Sequence, residues 1–167
     1  MDAPRRPPAD PAFRRDVTAG LRATPRAIPA RWLYDRRGSE LFEAITRLPE
    51  YYLTRVERGL LEAHAPEVAR AVGPGRAVVE FGSGASVKAR ILLRAVAPTA
   101  YVPIDISGDF LRDAADGLRD DFPELAVHPV EADFMRPIAL PPSLEGSSRL
   151  GFFPGSTIGN LVPKTAV

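Results

Sequence analysis

The sequence predicts an α/β fold, a parallel sheet of the doubly wound kind beginning near residue 76 and preceded by a helical element. Three observations carry this prediction. Apolar runs at 77–81, 100–105, 125–130 and 149–153 alternate with helical patterns at 86–96 and 108–120, the rhythm of βαβ units. The first run, Val78-Val79-Glu80-Phe81, breaks into Gly82-Ser83-Gly84-Ala85-Ser86 and then into the helical pattern, as in the first strand, loop and helix of a nucleotide-type site. Asp105 closes the next apolar run about 20 residues on, where such sheets commonly hold a ribose hydroxyl pair.

Taken in order, the first dozen residues are rich in Pro and Arg and read as a flexible arm, 1–12. A helical element at 13–75 follows. Phe13, Val17 and Leu21 recur at helical spacing ahead of Pro25. Residues 28–35 read as a loop, because Pro29 and the cluster Trp32-Leu33-Tyr34 show no period. Ser39 is placed to cap a helix carrying Leu41, Phe42, Ile45 and Leu48, which Pro49 stops. Thr54-Arg55-Val56-Glu57 fits a capping box, in which the threonine and glutamate side chains bond each other's backbone N–H. It opens a long helix through Leu60, Leu61, His64 and Val68, ending at Gly73-Pro74-Gly75. The sheet domain is expected over 76–167, with a loop rich in Pro, Ser and Gly from Pro137 to Ser148 before the fourth strand. Ligands of such sheets sit beyond the carboxyl ends of the strands. Gly82, Asp105, Asp133 and the segment after Phe153 should therefore converge.

Composition narrows the functional classes. A chain of 167 residues with 45% hydrophobic and 26% charged content is ordinary globular material of single-domain length. A net charge of +1 with no basic stripe points away from nucleic acid. Zero cysteines exclude disulfides and thiolate metal sites and suit a reducing compartment. No apolar stretch reaches membrane-spanning length, and Met1-Asp2-Ala3-Pro4-Arg5-Arg6-Pro7-Pro8 has no apolar core after its arginines. No membrane partner and a cytoplasmic location are the expectations. His64 and His128 have no partners at ligand spacing, so no metal site is expected.

Two cofactors suit the glycine loop. Glycines at 82 and 84 let a ligand approach the backbone, and the helix start aims free N–H groups into that space. A dinucleotide asks for a third glycine, where this chain has Val87. S-adenosylmethionine has no diphosphate and can dispense with it, while still needing the carboxylate. After the third strand, Asp133 can accept from an adenine amino group while Phe134 lies against the base, or the pair can be a turn cap and a core ring. Pro154-Gly155-Ser156-Thr157-Ile158-Gly159-Asn160 brings backbone close to a ligand, and the Asn160 amide can donate to a carboxylate or accept from an amine, or serve in an ordinary polar turn. Tyr51 and Tyr52, before the capping box, are either site residues or buried rings.

Longer motifs add to this. Trp32-Leu33-Tyr34-Asp35, Gly38-Ser39-x-Leu41-Phe42, Ile45-Thr46-x-Leu48-Pro49-Glu50-Tyr51-Tyr52-x-Thr54-Arg55, Glu80-x-Gly82-Ser83-Gly84-x-Ser86-x-Lys88, Val102-Pro103-x-Asp105 and Gly155-Ser156-Thr157-Ile158-Gly159-Asn160-Leu161 closely resemble the histidine-specific methyltransferase family, which includes the histidine Nα-methyltransferases of ergothioneine biosynthesis. The resemblance runs from about Arg31 to the C-terminus. It implies a Rossmann-like class I methyltransferase sheet, S-adenosyl-L-methionine as cofactor, and methylation of the α-amino group of L-histidine. It places Tyr34, Gly82, Lys88, Asp105, Asp133 and Phe134 at the cofactor, and Tyr51 and Asn160 at the substrate, Tyr51 meeting the imidazole in a register that Tyr52 leaves open by one residue. Family chains are roughly double this length, their second half adding strands and substrate contacts. The sheet is thus expected to be incomplete at its C-terminal side, with a C-terminal half as an expected partner. The residues identify no general base. The rival reading is a non-catalytic cofactor-binding remnant or half of a split protein; a dinucleotide-dependent oxidoreductase is disfavoured by Val87 and by the long motifs.

Overall fold

Ala77–Phe81 and Ala100–Asp105 are runs of Val, Tyr and Ile that suit strands covered on both faces, and nearly all their residues are buried. They are β1 and β2 of a five-stranded parallel sheet in the computed structural model, which describes residues 10–155 and 157–161 without the Asn160 side chain. β1 pairs in parallel with β2, Ala77 opposite Ala100 and Phe81 opposite Ile104. On its other side β1 pairs with β5, Arg149–Phe152, with Ala77 opposite Arg149.

The run 125–130, expected as one strand, is two short pieces, β3 (Ala126–Val127) and β4 (Val130–Glu131), both beside β2. Proline explains the break. His128 N still donates to Tyr101 O at 2.9 Å, but Pro129 has no N–H, so the ladder lapses there and resumes where Ile104 faces Val130.

Helix α4 (Val87–Val96) joins β1 to β2, and α5 (Gly108–Asp121) follows β2. Successive right-handed crossovers running in one direction put their helices on one face. Accordingly Leu92, Leu93 and Val96 of α4 and Ala115 and Leu118 of α5 share one buried cluster with Val78 and Tyr101. The chain then reverses from β4 to β5 and crosses the opposite face as an extended segment. Ile138, Leu140 and Leu144 cover Ala77, Val79, Val102 and Ile104 there, in place of the helix that a doubly wound sheet leads one to expect. Among the described residues the sheet order is β3-β2-β1-β5, with β4 also beside β2. The strand order reverses between β1 and β5, the kind of position where open α/β sheets form a ligand crevice.

Contacts divide the chain into two units at Leu33/Tyr34. In the first, α1 (Pro11–Arg22) is capped by Asp10, whose Oδ1 accepts from Ala12 N at 2.7 Å, so helix begins inside the stretch expected as an arm; residues 1–9 lie outside the described residues. Phe13 meets Trp32 edge-on at 5.2 Å, and Asp16 accepts from Trp32 Nε1 at 3.0 Å and from Arg31. Those bonds hold the Asp16 carboxyl below its ordinary range.

The second unit contains α2 (Arg36–Ile45) and α3 (Leu53–Val72) together with the sheet, because Val68, Ala69 and Val72 of α3 pack on the α4 face. Two expected caps are not the real ones. Asp35, not Ser39, caps α2: its Oδ1 accepts from Gly38 N at 2.7 Å, and Ser39 lies buried within the helix. Thr54 and Glu57 form no capping box, since α3 starts at Leu53 without a side-chain cap and the Glu57 carboxylate is engaged elsewhere.

Candidate functional site

The glycine loop follows β1 and turns sharply. Gly82 (φ 71°) and Gly84 (φ 50°) hold left-handed backbone that glycine adopts without a Cβ penalty. Gly82 N and Ser83 N both donate to Ile104 O, at 2.9 and 3.1 Å, which pins the loop to the end of β2. Asp105 ends β2 beneath it. Its Oδ2 accepts from Gly84 N and its Oδ1 from Ser107 N, each at 3.0 Å, so the carboxylate is oriented while each oxygen keeps further accepting capacity. Among the described residues the loop has an open side: a Cβ built on Gly84 would meet none of them within 4 Å, and none of them is a hydrogen-bond partner of the buried Ser83 Oγ.

Beneath the loop lies a buried polar cluster. Glu80 points to the α4 side of β1 at 1% exposure and accepts from the Tyr101 hydroxyl, which also lies 3.3 Å from Ser86 Oγ. Burial raises the Glu80 carboxyl from 4.5 to about 8; the Tyr101 bond and Lys88 oppose the shift without cancelling it. Burial and Glu80 together push the Tyr101 phenol well above its usual value. Ser86 sits at φ 53°, unusual for a residue with a Cβ, and buried contact with Tyr101 accompanies this strained turn into α4.

Two further strand ends reach the same edge. A Cβ on Gly82 would touch Phe134 at 3.7 Å and Thr157 at 3.8 Å, so the loops after β1, β4 and β5 meet there. Phe153 joins them, 5.8 Å from the Phe81 ring and 5.4 Å from that of Phe134. Asp133 makes a turn: its Oδ1 accepts from Met135 N at 3.0 Å, and Arg136 Nε lies 3.9 Å from its Oδ2.

Beside this edge lies a pocket of about 220 Å³ walled by Phe42, Tyr51, Thr54, Glu57, Lys88 and Gly155. Arg55 donates to Leu48 O at 2.9 Å and Pro49 O at 2.6 Å, which fixes the turn that delivers Tyr51. Tyr51 faces Phe42 edge-on at 6.1 Å, and Phe42 faces Tyr34 at 6.4 Å. Tyr52 is 59% exposed and outside the pocket wall, so of the two tyrosines it is Tyr51 that lines the cavity. Lys88 Nζ donates to Glu57 Oε2 at 2.7 Å, and Gly155 N donates to Glu57 Oε1 at 2.6 Å.

Gly82 and Phe134 thus meet at the strand ends with Asp105 bonded to the same glycine loop, and Lys88 and Tyr51 line the neighbouring pocket. Tyr34 reaches it through Phe42. The Asn160 side chain lies outside the described residues. Glu57, Thr157, Ser83 and Phe153 were not individually assigned to the site from sequence. Thr157 carried a signal as part of the glycine-rich segment after the fourth strand; Glu57 carried a misleading one, since its spacing from Thr54 imitates a local cap. Among the described residues no group of three or more His, Cys, Asp or Glu is placed to hold a metal ion, and no helix is long and apolar enough to cross a membrane.

A parallel sheet whose glycine loop, acidic strand end and switch-point loop meet at one edge defines an α/β domain of the nucleotide-cofactor class. Within that class the chain belongs to the family described as histidine-specific methyltransferase, SAM-dependent, which it matches over residues 13–167. It is 42% identical over 156 residues to the histidine N-alpha-methyltransferase of Mycolicibacterium smegmatis, covering 91% of this chain and 48% of that protein. To the protein of the same name from Mycobacterium tuberculosis it is 43% identical over 156 residues, with the same coverage of 91% and 48%. Ergothioneine biosynthesis protein 1 of Neurospora crassa is 41% identical over 91 residues, 52% of this chain and 10% of that protein. The chain spans about half the length of the two mycobacterial relatives.

Proposed function

We propose that this chain forms the cofactor edge and part of the substrate pocket of an S-adenosylmethionine-dependent N-methyltransferase acting on the α-amino group of L-histidine. The observation that carries the reading is the meeting of Gly82 with Phe134 and Thr157, above an Asp105 already oriented by Gly84 N. The fit to the cofactor is chemical. The open side of Gly84 and the Ser83 hydroxyl, unpartnered among the described residues, suit close approach of its amino-acid part, Asp105 can accept from ribose hydroxyls, and Phe134 with Asp133 offers a ring and an acceptor to adenine. Lys88 supplies a positive charge at the same edge.

When bound, the cofactor supplies a methyl group already activated on a sulfonium centre. What remains for the protein is to align a neutral amine with it and exclude water. Tyr51 and Phe42 wall the pocket for a flat ring, and Asn160 is assigned to the amino acid's carboxylate or amine. The cysteine-free composition suits a cytoplasmic setting.

Calorimetry tests the reading. S-adenosylhomocysteine should bind the chain while NAD does not, and the loaded chain should bind L-histidine in preference to L-phenylalanine. Binding of NAD in preference, or no discrimination between the two amino acids, would overturn it.

A further inference from the structure

The Glu57 side chain joins α3, α4 and the segment after β5. Its two carboxylate oxygens serve different elements: Oε2 takes Lys88 Nζ at 2.7 Å and Oε1 takes Gly155 N at 2.6 Å, 98 residues away along the chain. Both bonds are charge-assisted, and both partners are shielded, Lys88 being 19% and Glu57 32% exposed. The packing leaves little slack. Gly155 adopts φ 84°, and a Cβ there would lie 2.9 Å from the Lys88 ammonium, so a side chain at this position would crowd the lysine. Glu57, Lys88 and Gly155 all line the 220 Å³ pocket.

We infer that Glu57 is a positioning residue that couples the two halves of the site. It holds Lys88 at the cofactor edge and, through Gly155, sets the entry of the segment that carries Asn160. The inference rests on the functional reading above only for what the two halves bind. The bridge itself is a property of the fold. A salt bridge on a helix surface would not require Gly155 to donate, and a mere loop anchor would not require the lysine; one carboxylate satisfies both.

The experiment compares wild type, Glu57→Ala and Glu57→Gln by amide hydrogen exchange at Gly155 and by calorimetry with S-adenosylhomocysteine, with exchange at Tyr101 and Val102 in β2 as the check on the fold. Glu57→Ala should speed Gly155 exchange by about tenfold or more and weaken binding by about tenfold, with β2 unchanged. Glu57→Gln has one accepting oxygen. It should restore Gly155 protection and leave binding weakened, because the charged bond to Lys88 is gone. Unchanged Gly155 exchange in Glu57→Ala, or wild-type affinity in both variants, overturns the inference. If wild type does not bind S-adenosylhomocysteine at all, the functional reading fails, and the Gly155 exchange comparison alone then decides whether Glu57 orders the segment.

Discussion

Glu80 is a buried carboxylic acid whose ionisation the fold opposes. Its side chain turns inward beneath α4, where its carboxyl sits near 8 against 4.5 in the unfolded chain. Between those values the folded state binds a proton that the unfolded state has released, so stability falls as pH rises through that window, by about 1.4 kcal/mol per pH unit at most. Below 4.5 the group contributes no slope, and above about 8 the slope ends. Denaturant melts from pH 5 to 8 should show this decline in wild type and lose most of it in Glu80→Gln. Asp105 was legible in the sequence because its place at a strand end about 20 residues past a glycine loop is fixed by topology rather than by tertiary accident. Asp105→Ala should weaken S-adenosylhomocysteine binding by about 1–3 kcal/mol, through loss of charge-assisted bonds to ribose and of the acceptor that orients Gly84 N, as calorimetry would read. Glu57 was illegible because a four-residue window cannot distinguish a carboxylate bonding its own helix start from one reaching across to Gly155.

At the scale of elements, periodicity located the helices and strands, and local chemistry set their ends. The helices on the α4 face appeared where the apolar spacing put them, because each buries its stripe in a single cluster. The caps did not follow, since several residues able to cap compete within a few positions and backbone geometry chooses between them. At α2 the choice fell on Asp35. Asp35→Ala should cost about 0.5–2 kcal/mol in urea denaturation, whereas Ser39→Ala should show no loss of a cap; equal effects would contradict the assignment. The split of 125–130 follows from Pro129 and was readable in principle, because a proline in a ladder forfeits one bond wherever it falls.

Across the whole molecule, the strand order places the reversal between β1 and β5, and the loops beyond those strands are the ones that meet at Gly82. That convergence was foreseeable from βαβ alternation alone. The extended segment covering the second face was not, because residues 132–144 lack any period that says which surface they bury. Family membership and the shared edge together make cofactor binding the central claim, and an amide-resolved NMR titration with S-adenosylhomocysteine tests it most directly. The account predicts saturable shifts concentrated at Gly82 to Ser86, Asp105 to Ser107, Phe134 and Thr157. Saturable shifts centred elsewhere on the sheet, or none at millimolar ligand, would contradict it.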